Sequence, residues 1–132
     1  MQRTLNYLIL VSVIFFNFSL TQDVYLSLDG ANLNYTSTED IAGFQFNHDG
    51  CALGTNGGDA AANGLSISTS SGVVLAFSFS GSFIPEGSGT LVDLGSSTCS
   101  SSTLSSFVFS GQNGAGLTWE LLGGLPTVSI IS

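Results

Sequence analysis

Apolar residues in this chain recur at every second position in short runs, and each run is closed by glycine, asparagine, serine or aspartate. The helical period is nearly absent. A chain written this way forms strands with one apolar face, and such strands become stable only when two sheets cover each other. The fold class that follows is all-β: an antiparallel, jelly-roll-like β-sandwich of about eight to nine short strands.

Read in order, Val24 to Leu28 is a first strand and Leu33 to Tyr35 a second, with Asp29-Gly30 as the hairpin signal between them. Ile41 to His48 is a third, with Ala42, Phe44 and Phe46 on one face and Ile41, Gly43, Gln45 and Asn47 on the other. Asp49 to Gly64 (DGCALGTNGGDAAANG) reads as a long loop or a weak edge strand. Leu65 to Thr69 resumes the alternation. In Val73 to Ser80, Val73, Leu75, Phe77 and Phe79 are expected inward, opposite small Ala76, Ser78 and Ser80. Pro85 sets a turn before a strand at Thr90 to Leu94. Leu104 to Ser110, with Phe107 and Phe109 inward, and Leu117 to Leu122, carrying Trp119, follow on either side of an Asn113-Gly114 turn. One core built on Phe44, Phe46, Phe77, Phe79, Phe107 and Phe109 is the expectation. Past Pro126, Val128 to Ile131 reads as a closing edge strand or as the point where a longer chain is cut.

The first residues read differently. Arg3 precedes an apolar run from Leu5 to Phe18, and Ser19-Leu20-Thr21 supplies the small residues of a signal-peptidase site, so residues 1–21 are expected to be a signal peptide cleaved before Gln22. The alternative, a membrane anchor, needs about 20 apolar residues, more than this run offers. Residues 22–132 then form one domain, secreted or at the cell surface and not membrane-spanning after cleavage.

Charge narrows the partners. Arg3 is the only Lys or Arg, so residues 22–132 carry nine carboxylates and a formal charge of -9. Nucleic acid and anionic lipid are held by Lys and Arg, and neither is an expected partner. Acidity of this kind can accompany disorder, yet 43% of residues are hydrophobic and only 8% charged, which favours folding. Cys51 and Cys99 would meet an oxidising compartment in which a disulfide closes; two buried free thiols are the alternative.

Little in the chain suggests catalysis, and no enzyme activity is expected. His48 is the sole imidazole and ends a strand, where a turn can satisfy it; neither G-x-S-x-G nor H-E-x-x-H is present. No cofactor is called for. Calcium is the one candidate metal, through Asp49 and Asp59 with Asn56 and Asn63 in the long loop, set against an ordinary solvated turn region. Carbohydrate binding would draw on Trp119, Tyr25 and Tyr35, for which core or edge packing is the competing role. Asn34-Tyr35-Thr36 is an N-glycosylation sequon.

Two stretches, Asp40-Ile41-Ala42-Gly43-Phe44-Gln45-Phe46 followed by Asn47-His48-Asp49, and Leu75 to Leu94 (LAFSFSGSFIPEGSGTLVDL), resemble the cohesin family over about Val24 to Leu122. The resemblance implies a nine-stranded flattened jelly roll, a sandwich shared with cellulose-binding modules, whose flat face docks a partner module. Ile41, Gly43, Gln45 and Asn47 would then be the partner-binding positions, Gln45 and Asn47 being the polar ones. The expected function is extracellular protein–protein attachment. A carbohydrate-binding module of a polysaccharide-degrading system and a structural or adhesive surface unit are the alternatives.

Overall fold

The computed structural model describes residues 21–123, so the expected signal peptide, save Thr21, and the Val128–Ile131 segment lie outside the described residues. Among the described residues nine strands form: β1 (Val24–Asp29), β2 (Asn32–Ser37), β3 (Gly43–His48), β4 (Ser66–Thr69), β5 (Val73–Phe77), β6 (Gly87–Asp93), β7 (Leu104–Ser110), β8 (Gly116–Leu117) and β9 (Trp119–Leu121). They pair as two sheets, ordered β6-β2-β1-β9 and β4-β5-β3-β7-β8. Pairing is antiparallel throughout except between β1 and β9, which run parallel. The all-β sandwich expected from the alternation is the architecture observed. Among the described residues no helix is long and apolar enough to cross a membrane.

The β1–β2 hairpin shows how local chemistry sets register. Asp29 pairs with Asn32, leaving a two-residue loop in which Gly30 takes a φ of 63°, a conformation glycine adopts without a Cβ penalty. Val24, Leu26, Leu33 and Tyr35 consequently all point into the core.

Phe44 and Phe46 on β3 and Phe107 and Phe109 on β7 fill the interior of the other sheet, with ring centroids 5.0 Å apart for Phe46–Phe107 and 5.8 Å for Phe44–Phe109. Phe77 and Phe79 do not join them. The register places Ala76 opposite Phe44 and Val74 opposite Phe46, and it is Val74 and Ala76 that are buried. Val73, Leu75 and Phe79 are exposed, contrary to the inward facing expected from sequence, and β5 ends at Phe77 instead of continuing to Ser80. The cause is volume: beside a layer of phenyl rings there is room for Val and Ala, and a second set of bulky side chains would overpack it.

The 49–64 stretch also differs from a plain loop or edge strand. It contains a one-turn helix, α1 (Gly58–Ala62), seated on β6. Close approach depends on Gly58, whose φ is 75° and whose position has no room for a side chain: a Cβ there would lie 2.6 Å from the Leu91 carbonyl oxygen. Cys51 and Cys99 form a disulfide with Cα atoms 5.2 Å apart, joining the loop after β3 to the loop before β7.

Two outcomes follow. In urea denaturation Phe46→Ala should cost about 3–5 kcal/mol, while Phe79→Ser should stay within about 0.5 kcal/mol of the parent; a large loss for Phe79→Ser would mean β5 faces the other way. Reducing the Cys51–Cys99 bridge, which spans a sequence separation of 48, should remove about 4 kcal/mol, checked by the denaturation midpoint with and without reductant.

Candidate functional site

The outer surface of the five-stranded sheet is built by the same alternation that fills its inside. With Phe44 and Phe46 inward, β3 presents Gln45 and Asn47 outward; with Val74 and Ala76 inward, β5 presents Val73, Leu75 and Phe77; with Phe107 and Phe109 inward, β7 presents Val108. Register aligns them into rows. Ser68, Leu75, Gln45 and Val108 form one, and Asn47 lies between Val73 and Ser105 in another. A β-bulge between the Gln45 and Asn47 pairings, with Ser106 at a φ of 55°, re-aims β7 beside these rows.

Exposure on this surface is high for apolar side chains: 38% for Val73, 39% for Leu75, 55% for Val108 and 89% for Phe79. Leu75 and Val108 border a shallow hollow of about 180 Å³, lined also by Gly43, Gln45, Phe77 and Ser110. Gly43 forms its floor, and a Cβ there would sit 3.1 Å from the Ala76 carbonyl oxygen and 3.4 Å from Ser110 Oγ. Phe79 stands beside the hollow, edge-on to Phe77 with centroids 4.8 Å apart. The turn that carries it is held by Ser78 Oγ, which accepts from the Ser80 and Ser82 amides at 3.1 and 3.0 Å. None of the nine carboxylates falls on these rows.

Of the four positions expected to meet a partner, Gln45 and Asn47 are exposed as the alternation requires. Gly43 faces the same way but is buried as the floor of the hollow. Ile41 is not outward at all. It precedes β3, forms an isolated bridge with Ile84 through two 2.8 Å backbone hydrogen bonds, and is fully buried, so the strand alternation does not extend back to it.

The three aromatics considered for sugar binding do not share a surface. Trp119 pairs with Val24 and Tyr35 with Leu26, which turns both inward; Trp119 packs on Phe107 at 4.8 Å and Tyr35 is buried. Tyr25 points to the opposite side of that sheet, where its hydroxyl accepts from the Gln22 amide at 3.2 Å.

Tyr35 donates instead to Asp59 Oδ2 at 2.6 Å, tying α1 to β2. Burial first, and the Asp59 carboxylate second, push the Tyr35 hydroxyl far above its ordinary pKa. With Asp59 engaged there and Asp49 Oδ1 accepting from the Cys51 amide, the two acids serve separate local structures. Asn63 Nδ2 donates to the Asp59 carbonyl and Asn56 bridges Asp93 through the backbone. Among the described residues no group of three or more His, Cys, Asp or Glu is placed to hold a metal ion.

His48 is a structural residue: its Nδ1 accepts from the Gly50 amide at 3.0 Å and its Nε2 lies 2.9 Å from the Ser70 carbonyl, to which it donates. Asn34 of the sequon sits on the outer face of the four-stranded sheet, its Oδ1 accepting from Thr90 Oγ1 at 2.8 Å.

Leu75, Phe77, Phe79 and Val108 are the surface residues that sequence reasoning missed. Val108 was readable, lying between two inward phenylalanines. The others were not, because both faces of VVLAF are apolar and only the neighbouring strand decides between them.

Comparison with protein-family models, with curated proteins and with solved structures gives no match to this chain.

The Tyr35–Asp59 pair sets an alkaline limit. Because folding raises the Tyr35 pKa above its unfolded value near 10, its contribution is complete below about pH 10 and is lost as pH climbs toward the folded value. A spectrophotometric titration of residues 21–132 should therefore show Tyr25, whose hydroxyl is held below its ordinary pKa by hydrogen bonds from Thr21, ionising first and Tyr35 only together with unfolding. Tyr35→Phe should remove that second step and cost about 1–2 kcal/mol at neutral pH by leaving Asp59 without its donor.

Proposed function

We propose that this chain is an exported, non-catalytic attachment module that docks an extracellular protein through the outer face of its five-stranded sheet. The observation that carries the reading is the chemistry of that face. Leu75 and Val108 flank Gln45, and Phe77 with Phe79 packed on it extends the apolar surface along strand rows that hold none of the nine carboxylates. Contiguous apolar surface of this kind on a soluble domain marks an interaction site. An apolar centre with acids kept to the periphery is the usual anatomy of a protein interface.

Export is supported by the leader pattern and is compatible with the Cys51–Cys99 bridge, which persists in oxidising compartments. The resemblance to cohesins points to the same strand, since Gly43, Gln45 and Asn47 belong to the stretch that carries it. Carbohydrate binding draws less support, with Trp119 and Tyr35 turned into the core.

Gln45 lies between Leu75 and Val108, so an arginine there puts an unmatched charge at the centre of the contact. Gln45→Arg should weaken binding to a partner captured from the native extracellular fraction by at least about tenfold while leaving the denaturation midpoint unchanged. Unaltered capture by Gln45→Arg, together with polysaccharide binding that a Tyr25 or Trp119 substitution removes, would replace docking with the carbohydrate reading.

A further inference from the structure

From the relief and the charge of this face, and resting on the docking reading above, we infer that its occupant is a second copy of the same chain. The two form a two-fold dimer in which Phe79 of each copy enters the hollow over Gly43 of the other. A two-fold interface requires one surface to be complementary to itself. This face meets that requirement by carrying a knob and a hole side by side: Phe79, 89% exposed, and the hollow of about 180 Å³ lined by Gly43, Gln45, Leu75, Phe77, Val108 and Ser110. An apolar cavity of about 150 Å³ holds a benzene ring, so the hollow is of a size to take one phenyl group. Gly43 lines it without a side chain, and a Cβ at that position would crowd the Ala76 carbonyl oxygen at 3.1 Å and Ser110 Oγ at 3.4 Å.

Charge selects the same surface. Two copies each carrying -9 repel through any approach that brings carboxylates together, and these strand rows hold none. Area sets the strength. Five strands about 4.8 Å apart and about five residues long give a footprint of roughly 400 Å². With the relief of the side chains and Phe79, the pair of faces buries on the order of 1,000 Å², at the lower limit of specific interfaces. The dimer is therefore weak, with a dissociation constant on the order of micromolar or above. Between modules displayed on neighbouring surfaces, such pairing is a homophilic contact.

The test is sedimentation equilibrium on the chain exported from an expression host and recovered with its leader removed. The expected result is an average mass rising with concentration from one copy to two and no further. The midpoint should move to lower concentration when salt is raised from about 0.01 to 0.15 M, because screening relieves repulsion between like-charged copies. Phe79→Ser and Val108→Asp should each raise the midpoint at least about tenfold with unchanged unfolding midpoints. Leu53→Ser, an exposed apolar residue away from the sheet, should leave it in place. A dimer insensitive to both face variants, a mass that grows beyond two copies, or a midpoint that rises with salt would overturn the inference.

The docking reading is separated by immobilising the same samples and passing the native extracellular fraction over them. A chain that stays monomeric yet retains a protein that Val108→Asp does not retain overturns self-association and leaves docking standing. One that stays monomeric and retains nothing through this face overturns both.

Discussion

The phenyl layer contributed by β3 and β7 is the constraint from which most of the molecule follows. Phe44, Phe46, Phe107 and Phe109 occupy the space between the sheets, and Trp119 closes over Phe107 from the opposite sheet. Once that volume is taken, the neighbouring strand has no freedom to point its own rings inward, and β5 gives Val74 and Ala76 to the core. Its larger side chains go to solvent. The exposed apolar face is thus the reverse side of a well-filled interior, and no separate element had to be added to make it.

A second constraint acts on the polar groups. With no Lys or Arg after Arg3, carboxylates have no side-chain cation to pair with, and neutral donors take over. Asp40 accepts from the Glu86 amide at 2.9 Å and Gln112 Nε2 at 2.8 Å, joining the approach to β3 with two later loops. Asp93 accepts from the Gly95 amide and Asp59 from Tyr35. Such bonds to ionised acceptors are stronger than neutral ones and add definite geometry. Asp40 lies before β3, Asp93 at the end of β6 and Asp59 in α1, so none of these acids falls on the strand rows of the five-stranded sheet.

How much of this could be read from sequence depends on how far each feature reaches along the chain. β1, β2 and β7 and their turns were legible because alternation and Asp-Gly or Asn-Gly steps are local signals. The facing of β5 was not, since VVLAF is apolar on both sides and the decision lies with Phe44 and Phe46, some thirty residues earlier. Ile41 looked like part of β3, but its bridge to Ile84 is a long-range pairing that resets the alternation before Gly43. The helix α1 was hidden for a different reason: five residues carry no helical period, and what holds them is contact with β6 through Gly58. Half of the candidate face, Gln45 and Asn47 with Gly43 beneath, was therefore visible in advance, and its apolar half was not.

The parallel pairing of β1 with β9 has a mechanical meaning. Val24 lies beside Trp119 and Leu26 beside Leu121, so the chain enters the sheet at one end of this pair and leaves it at the other. Tension applied between Val24 and Leu121 slides the two strands past each other along their own axes. The cross-strand bonds, Val24 N to the Thr118 carbonyl at 2.9 Å and Leu122 N to the Leu26 carbonyl at 2.7 Å, then share the load instead of parting one at a time. Asp23 and Thr118 lock the entry end with reciprocal 2.9 Å hydrogen bonds. Pulled by its ends, the domain resists in shear, the loading direction in which a short ladder of hydrogen bonds bears the most force.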